Sequence, residues 1–170
     1  MSSIVASIPR LPNKVREYWG ERPTGEVRVT AQLTNAVDGA LCIEGKLPED
    51  KVRTYTADAM VDTGAICTVI PKFGAETLGL VVVGHRDVSF ANGTKERVDV
   101  VVPLQIEILG RDTFEEALVC GEEVLIGQTV LEKTDLLVDC SHARAVPNPA
   151  HPDQPIIKVK SHRQFRSDHA

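Results

Sequence analysis

The stretch AMVDTGAICTVI, residues 59–70, is the part of the sequence that says most about how this chain folds. An apolar run leads into Asp62-Thr63-Gly64-Ala65, and a second apolar run follows it. This pattern predicts a carboxylate on a tight turn between two buried strands. Because a carboxylate beside an apolar interior is costly unless it is hydrogen-bonded or used in chemistry, Asp62 is the first candidate for a functional residue.

The residue types in the turn fit that interpretation. Gly64 lets the backbone turn sharply and bring its N–H towards the Asp62 carboxylate, while Thr63 can place a hydroxyl beneath it. An Asp-Thr-Gly triplet by itself is a weak motif, expected by chance in roughly a few per cent of chains of this size, so its context matters. The competing interpretation is an Asp62 that only caps backbone N–H groups of its own turn.

Short strand patterns precede this turn. Residues 27–33 alternate apolar and polar side chains, which is the period of a half-buried strand. Residues 35–39 supply turn formers, and a second short strand is expected over 40–44. After a polar loop, an extended segment over 52–61 runs directly into Asp62. The triplet is therefore expected at the end of a strand.

The sequence after the triplet predicts two short helices among further strands. Pro71 and Gly79 bound a helix over residues 72–78, with the proline at its start and the glycine at its stop. A second brief helix is expected over 129–133. The strands predicted around these helices cover residues 67–70, 124–127 and 136–139.

Two hairpins complete the predicted core. Asn92-Gly93 lies between strand-like residues 86–90 and 94–102, and an Asn-Gly in that setting is the strongest short-range hairpin signal. Residues 104–109 and 113–120 form the second expected hairpin. Many short strands with only two short helices predict an all-β fold, specifically a small closed barrel.

Composition sets the domain organisation. A chain of 170 residues with 42% hydrophobic residues can bury one core, which we place at residues 26–145. Prolines interrupt residues 1–25, which are expected to form an N-terminal arm. Residues 146–170 are expected to form a Pro-rich extended segment with an edge strand over 156–160 and a polar tail.

Charge and motif content argue against several partners. The 19 basic and 24 acidic residues give a net charge of −5, which offers no footprint for nucleic acid or a membrane surface. No apolar run approaches the roughly 20 residues of a membrane span, and no signal peptide is evident, so a cytoplasmic protein is expected. The four cysteines form no C-x-x-C pair and the five histidines no H-x-x-x-H pair. Reduced thiols, no metal and no cofactor are therefore expected.

At this point the residues resemble the retropepsin-like (retroviral-type, clan AA) aspartic proteases. That family has an apolar strand, Asp-Thr-Gly-Ala, a second apolar strand, a glycine-bearing hairpin called the flap, and later two apolar residues and a glycine. The resemblance implies that Asp62 is the catalytic carboxylate. It also implies that Thr63 locks the loops of two subunits together, and that Gly64 and Ala65 belong to the same active-site loop.

The resemblance extends to the later motifs, with one departure. The flap or substrate-binding tip is assigned to four residues, Ala91, Asn92, Gly93 and Thr94. Ile126-Gly127 corresponds to the second apolar-glycine element. Retroviral enzymes usually pair an Asp soon after the triplet with an Arg after the later glycine, and here Ile66 and Gln128 stand at those places. Both charges are absent together, so neither is left unpaired.

The resemblance implies an aspartic endopeptidase that acts as a homodimer on a peptide or protein substrate. Its mechanism needs two carboxylates about 3 Å apart that share one proton, because like charges so close cannot both ionise. One activates a water molecule and the other protonates the developing oxyanion. The chain has a single Asp-Thr-Gly and is too short for the two-lobed form, so a twofold axis must supply the second Asp62.

Other interpretations stay open from the sequence. A catalytically silent dimeric barrel could hold a peptide as an added strand in the same groove. Asn92-Gly93 suits an ordinary hairpin turn equally well, and Cys67 suits either a small buried residue or a redox switch. Residues 85–87 are expected in a solvated loop, and the pairs 115–116 and 122–123 on the exposed surface. Catalysis by a Cys-His pair has no local signature.

Overall fold

The structure is a computed structural model that describes residues 25–90 and 92–156. Strands dominate the described part of the chain, and the helices are short. The strands are β1 Val27–Asn35, β2 Thr54–Val61, β3 Thr68–Ile70, β4 Val81–Ser89, β5 Lys95–Ile108, β6 Arg111–Val119, β7 Leu125–Ile126, β8 Leu136–Asp139 and β9 Arg144–Pro147. The helices are α1 Ala36–Ile43, α2 Lys72–Leu78 and α3 Gln128–Thr134, with a 3-10 turn at Glu49–Lys51.

Six of the strands close into a barrel. They follow the order β1-β2-β7-β3-β6-β5, and β1 pairs with β5 to complete the ring. Strand β4 pairs with the first half of β5, and the two strands form a long hairpin. Strands β8 and β9 pair in a separate two-stranded sheet. The predicted all-β fold with a small closed barrel is confirmed.

Alternating side chains fill the barrel. In β1 every second residue is buried, including Ala31 and Leu33, which have no exposed surface. Ile70 of β3 and two residues of β5, Leu104 and Ile106, are also fully buried. Burying each such large side chain contributes about 1.5 to 3 kcal/mol relative to exposure. The strand register is fixed by this pattern, because a slip by one residue would turn the apolar face outwards.

The predicted turn over 35–39 and strand over 40–44 are wrong, because these residues form helix α1. Asn35 ends β1 and caps the helix, with its side-chain oxygen accepting from the N–H groups of Val37 (3.0 Å) and Asp38 (3.2 Å). The Asp38 carboxylate in the first turn accepts from the Arg53 guanidinium at 2.6 and 2.7 Å. Periodicity cannot separate a short apolar helix from a strand, and here the cap decides.

Strand boundaries also differ around β4 and β5. The two strands predicted at 94–102 and 104–109 are one strand, β5, which shifts register against β6 between Val101 and Leu104. Pro103 lies at that irregularity, where a missing N–H is tolerated. Residues 85–87 lie exposed within β4 and not in a loop. The second hairpin turn is correspondingly short, with Ile108 opposite Arg111.

Other predictions agree closely with the structure. Helix α2 has the predicted bounds and ends at Gly79, whose φ of 57° is left-handed. Helix α3 begins one residue before and ends one residue after its prediction, and β8 matches its prediction. Residues 1–24 of the predicted arm and 157–160 of the predicted edge strand lie outside the described residues. The expected connector begins inside β9, which pairs with β8 up to Pro147.

A buried arginine attaches the segment after β9 to the barrel. Arg111 has a side chain only 4% exposed, and its guanidinium donates to the carbonyl oxygens of Thr134, Asp135, His151 and Pro152. The Asp135 carboxylate accepts from three groups of the same segment: Asn148 Nδ2 at 2.9 Å, His151 Nδ1 at 2.7 Å and the N–H of Ile156 at 3.3 Å. Residues 148–156 are thereby held beside α3.

Candidate active site

The site is organised by strand β7, which lies between the two strands that flank the triplet. Val61 of β2 pairs with Ile126 in parallel, and Val69 of β3 pairs with Leu125 in antiparallel orientation. Because β2 and β3 are the strands before and after Asp62, the loop that joins them crosses the end of β7. The structure thus brings the triplet and the later apolar-glycine element together.

Asp62 sits half-buried at the end of β2, in a turn closed by three hydrogen bonds. Its N–H donates to the Ile126 carbonyl at 3.0 Å, and its own carbonyl accepts from the N–H of Ala65 at 3.2 Å. Its Oδ1 accepts from the N–H of Gly64 at 2.9 Å. The turn geometry expected from the sequence is therefore present, and it presents one carboxylate at the barrel's end.

Gly127 is required where the loop meets the start of α3. A Cβ built on it would lie 2.6 Å from the carbonyl oxygen of Cys67 and 2.8 Å from that of Ile66, too close for any side chain. Only a glycine lets these two backbones approach so closely. The N–H of Gln128 then donates to the Ala65 carbonyl at 2.8 Å. The second motif therefore contacts and supports the Asp62 loop.

Thr63 is exposed at the rim of an open cleft of about 620 Å³. The walls of the cleft come from α3, β8 and the attached segment, and its other lining residues are Gln128, Leu131, Glu132, Lys133, Asp135, Leu136, Leu137, Val138 and Ile156. Two apolar side chains that line the cleft are open to solvent, since Leu137 is 46% exposed and Ile156 is 52% exposed. An apolar surface therefore adjoins the triplet.

The predicted hairpin is present, and its tip is held by local contacts. The N–H of Phe90 donates to the Thr94 carbonyl at 2.9 Å, and Asn92 Oδ1 accepts from the N–H (2.9 Å) and hydroxyl (2.7 Å) of Thr94. Gly93 has a φ of 83°, which suits glycine. Ala91 lies outside the described residues. The described tip residues hydrogen-bond within the hairpin and are not brought onto Asp62.

Cys67 lies half-buried just after the loop. Burial raises the pKa of its thiol, the charges of Glu116 and Glu115 raise it further, and Arg86 opposes them. A raised pKa keeps the thiol protonated and unreactive at neutral pH. This favours the interpretation of Cys67 as a small buried residue over that of a nucleophile or redox switch.

Two structural anchors were missed by sequence reasoning. Glu115, predicted on the exposed surface, has a side chain only 9% exposed and pairs with Lys133 of α3 at 2.8 Å. Arg111, predicted within a turn, is the buried cation that holds the segment after β9. Both contact residues far away in sequence, so no local pattern signals them. Glu116 and the pair 122–123 are exposed, as predicted.

Within residues 25–90 and 92–156, no three side chains of His, Cys, Asp or Glu are grouped so that they could bind a metal ion. None of the helices that the structure describes is long and apolar enough to span a membrane.

Comparisons with known proteins return distant structural neighbours. No family model matches the chain, and no curated protein matches its sequence. The chain is similar to the solution structure of Simian Foamy Virus (mac) protease, with 17% identity, a TM-score of 0.39, and coverage of 61% of this chain and 90% of that one. It is also similar to the foamy viral protease-reverse transcriptase in complex with RNA/DNA hybrid, with 16% identity, a TM-score of 0.42, and coverage of 62% of this chain but only 11% of that one.

Proposed function

We propose that this chain is one subunit of an aspartic endopeptidase, in which two copies of Asp62 at a homodimer axis activate water to hydrolyse peptide bonds. The observation that carries the proposal is the Asp62 turn itself. A carboxylate ends a barrel strand, its loop is hydrogen-bonded to Ile126 and Gln128, and the loop is half open to solvent. A side chain held this firmly, yet accessible, is suited to chemistry on a bound substrate.

The chemistry follows from pairing two such turns. Two Asp62 carboxylates about 3 Å apart would share one proton, because two adjacent negative charges repel strongly in a site shielded from water. The ionised carboxylate takes a proton from water as the water attacks the peptide carbonyl. The protonated carboxylate donates its proton to the oxygen on which negative charge develops. Neither carboxylate forms a covalent bond to the substrate.

A second copy of the chain is the natural source of the second carboxylate. Among the described residues, the polar contacts of the Asp62 carboxylate are confined to its own turn, so one chain supplies half a dyad. The cleft beside Thr63 offers exposed apolar surface at Leu137 and Ile156. An isologous contact across this face would bury that surface and bring both Thr63 side chains and both turns to the axis.

The substrate is an extended peptide or protein segment. It would lie between the Asp62 loop, Thr63 to Ala65, and the β4–β5 hairpin, whose tip at residues 91–94 would act as a flap. An extended strand can hydrogen-bond to backbone on both sides, which suits this groove. Ile66, which is 73% exposed in the same loop, adds an apolar wall.

One observation favours a second candidate, a catalytically silent dimeric barrel that binds peptides. Asp62 Oδ1 accepts from the N–H of Gly64, which is also what a purely structural turn aspartate would do. In that case the carboxylate would stabilise the turn, and the groove would hold a peptide without cleaving it.

Substitution of the carboxylate separates these candidates. Asp62→Asn keeps the shape and the oxygen that accepts from Gly64, but removes the base. We expect cleavage of a peptide library to fall by more than about a thousandfold, since the general acid and base steps lose their shared proton. Pepstatin should inhibit the wild-type protein. A variant that retains substantial turnover would remove the central claim.

Mixing the two proteins tests the dimer within the same experiment. Excess Asp62→Asn chains should poison wild-type activity, because heterodimers carry one ionisable carboxylate. Specific activity should also fall on dilution, when subunits separate. A dilute sample shown to be monomeric by sedimentation, yet fully active per chain, would contradict the shared site.

A further inference from the structure

Helix α3 begins without a side chain to cap it. Gly127 occupies the cap position, and the first N–H groups of any helix have no partner within the helix. Here the active-site loop supplies the partners. The N–H of Gln128 donates to the Ala65 carbonyl at 2.8 Å, and that of Thr129 donates to the Ile66 carbonyl at 3.3 Å. The free N–H groups at the helix start and the carbonyl groups of the loop therefore satisfy each other's hydrogen-bonding capacity.

Thr129 makes a second bond to the same acceptor. Its hydroxyl, Oγ1, donates to the Ile66 carbonyl at 3.0 Å, across 63 residues of sequence. A carbonyl oxygen has two lone pairs, so it can accept from the N–H and the hydroxyl together. The hydroxyl bond is the shorter of the two. One residue of α3 thus holds the backbone of the loop through two donors.

The backbone of Gly127 packs closely against the Ile66 carbonyl, but the Ile66 side chain does little to hold this residue in place. Its side chain is 73% exposed, so apolar burial contributes little at this position. The Gln128 side chain turns along its own helix, where its Nε2 donates to Glu132 Oε1 at 3.2 Å. Ile66 and Gln128 stand where the retroviral enzymes usually carry an Asp and an Arg. Among the described contacts, their side chains form no bond with each other. The bond from the Thr129 hydroxyl to the Ile66 carbonyl is a side-chain tie between α3 and this part of the loop.

We propose that Thr129 is a positioning residue for the active-site loop, acting through its hydroxyl on the Ile66 carbonyl. The inference rests on the proposed peptidase function, because the loop it holds carries Asp62. Displacement of Ile66 reaches the carboxylate through a short path. Ala65 precedes Ile66, and its N–H closes the Asp62 turn at 3.2 Å. In this role Thr129 acts through the Ile66 backbone and not on the substrate itself.

Three variants test this role. Thr129→Val keeps the shape but removes the hydroxyl, Thr129→Ser keeps the hydroxyl, and Thr77→Val removes a comparable bond on α2, where Thr77 Oγ1 donates to Phe73 at 2.7 Å. We expect kcat to fall about tenfold in Thr129→Val with KM within about twofold, because misplaced catalytic groups cost turnover more than binding. Thr129→Ser should stay within about twofold of the wild type, and Thr77→Val should be unchanged.

An independent measurement does not need activity. Amide hydrogen exchange at Gln128 and Thr129 reports how firmly the helix start holds the loop. Exchange should be several-fold faster in Thr129→Val than in the wild type or in Thr77→Val, with global unfolding measured alongside. If the wild-type protein cleaves no peptide, the proposed function fails. The exchange rates then decide by themselves whether the Thr129 hydroxyl holds the loop.

Two results would overturn the positioning role. One is a Thr129→Val protein with wild-type kcat and wild-type exchange at these amides. The other is an equal loss of kcat in the Val and Ser variants, which would point to the shape of the side chain and not to its hydroxyl.

Discussion

The Asp62 loop and the hairpin tip are both tight turns between strands, yet they are held in different ways. The loop from Asp62 to Cys67 is hydrogen-bonded to Ile126, Gln128 and Thr129, which lie more than fifty positions later in the chain. The tip at residues 92–94 is held by Asn92 and Phe90, its own neighbours. A turn fixed by distant backbone is rigid only in the folded barrel, whereas a turn fixed by its own residues can move as a unit.

This difference has a functional meaning under the proposed mechanism. A catalytic carboxylate must be held within a fraction of an ångström, so a loop supported by a strand and a helix suits it. A flap must move to admit substrate, so a hairpin with local contacts suits that task. The contrast can be tested by disturbing each kind of support separately.

The largest expected effect comes from Gly127→Ala. The added Cβ would lie 2.6 Å from the Cys67 carbonyl oxygen, a backbone atom that cannot swing aside as a side chain can. We expect a loss of about 3 kcal/mol in the free energy of unfolding, the upper part of the range for overpacking. Denaturant titration measures it. The φ of −80° at Gly127 is open to alanine, so backbone strain would not explain the loss. If this variant were as stable as the wild type, the close backbone contact at Gly127 would not be what supports the loop.

An intermediate effect is expected from pH at the Asp135 anchor. Hydrogen bonds from Asn148, and next from His151, lower the pKa of this carboxyl. A lowered folded-state pKa means that the stabilisation is present above the unfolded pKa of about 3.9, and is lost as pH falls through the folded value. The free energy of unfolding of the wild type should therefore fall between pH 5 and pH 3.

The control for this prediction is Asp135→Asn, which cannot titrate. It should show a smaller change in stability over the same pH interval, measured by denaturant titration at each pH. Equal slopes in the two proteins would mean that other carboxyls account for the acid sensitivity. Asp38, whose pKa is lowered by its bond with Arg53, and Asp139, whose pKa is lowered by hydrogen bonds from Ser141 and then His142, are expected to contribute in the same direction.

The smallest effect is expected at the hairpin tip. Gly93→Ala places a Cβ on a residue with φ of 83°, which L residues rarely adopt, but nothing lies near that Cβ. The strain should cost about 1 kcal/mol, and much of it should appear as local opening of the tip. Hydrogen exchange should therefore quicken near Thr94 while the loop at Ala65 is unaffected. Faster exchange at the loop would show that the two turns are coupled.

The sequence predicted the elements whose signals are local. Asn92-Gly93 identified a hairpin, and Pro71 with Gly79 bounded α2, because turn and cap preferences act within a few residues. Helix α1 was missed because a short apolar run suits either a strand or a helix. Its identity depends on the Asn35 cap and on the bond of Asp38 with Arg53.

By itself, the sequence determined that a carboxylate would end an apolar strand in a glycine turn, and that the chain would form a small barrel of short strands. Only the tertiary structure decided that β7 lies between β2 and β3, that Gly127 meets the Cys67 carbonyl, and that Arg111 is buried. Periodicity and turn chemistry report forces between near neighbours. These contacts join residues separated by many positions, and they exist only once the barrel has closed.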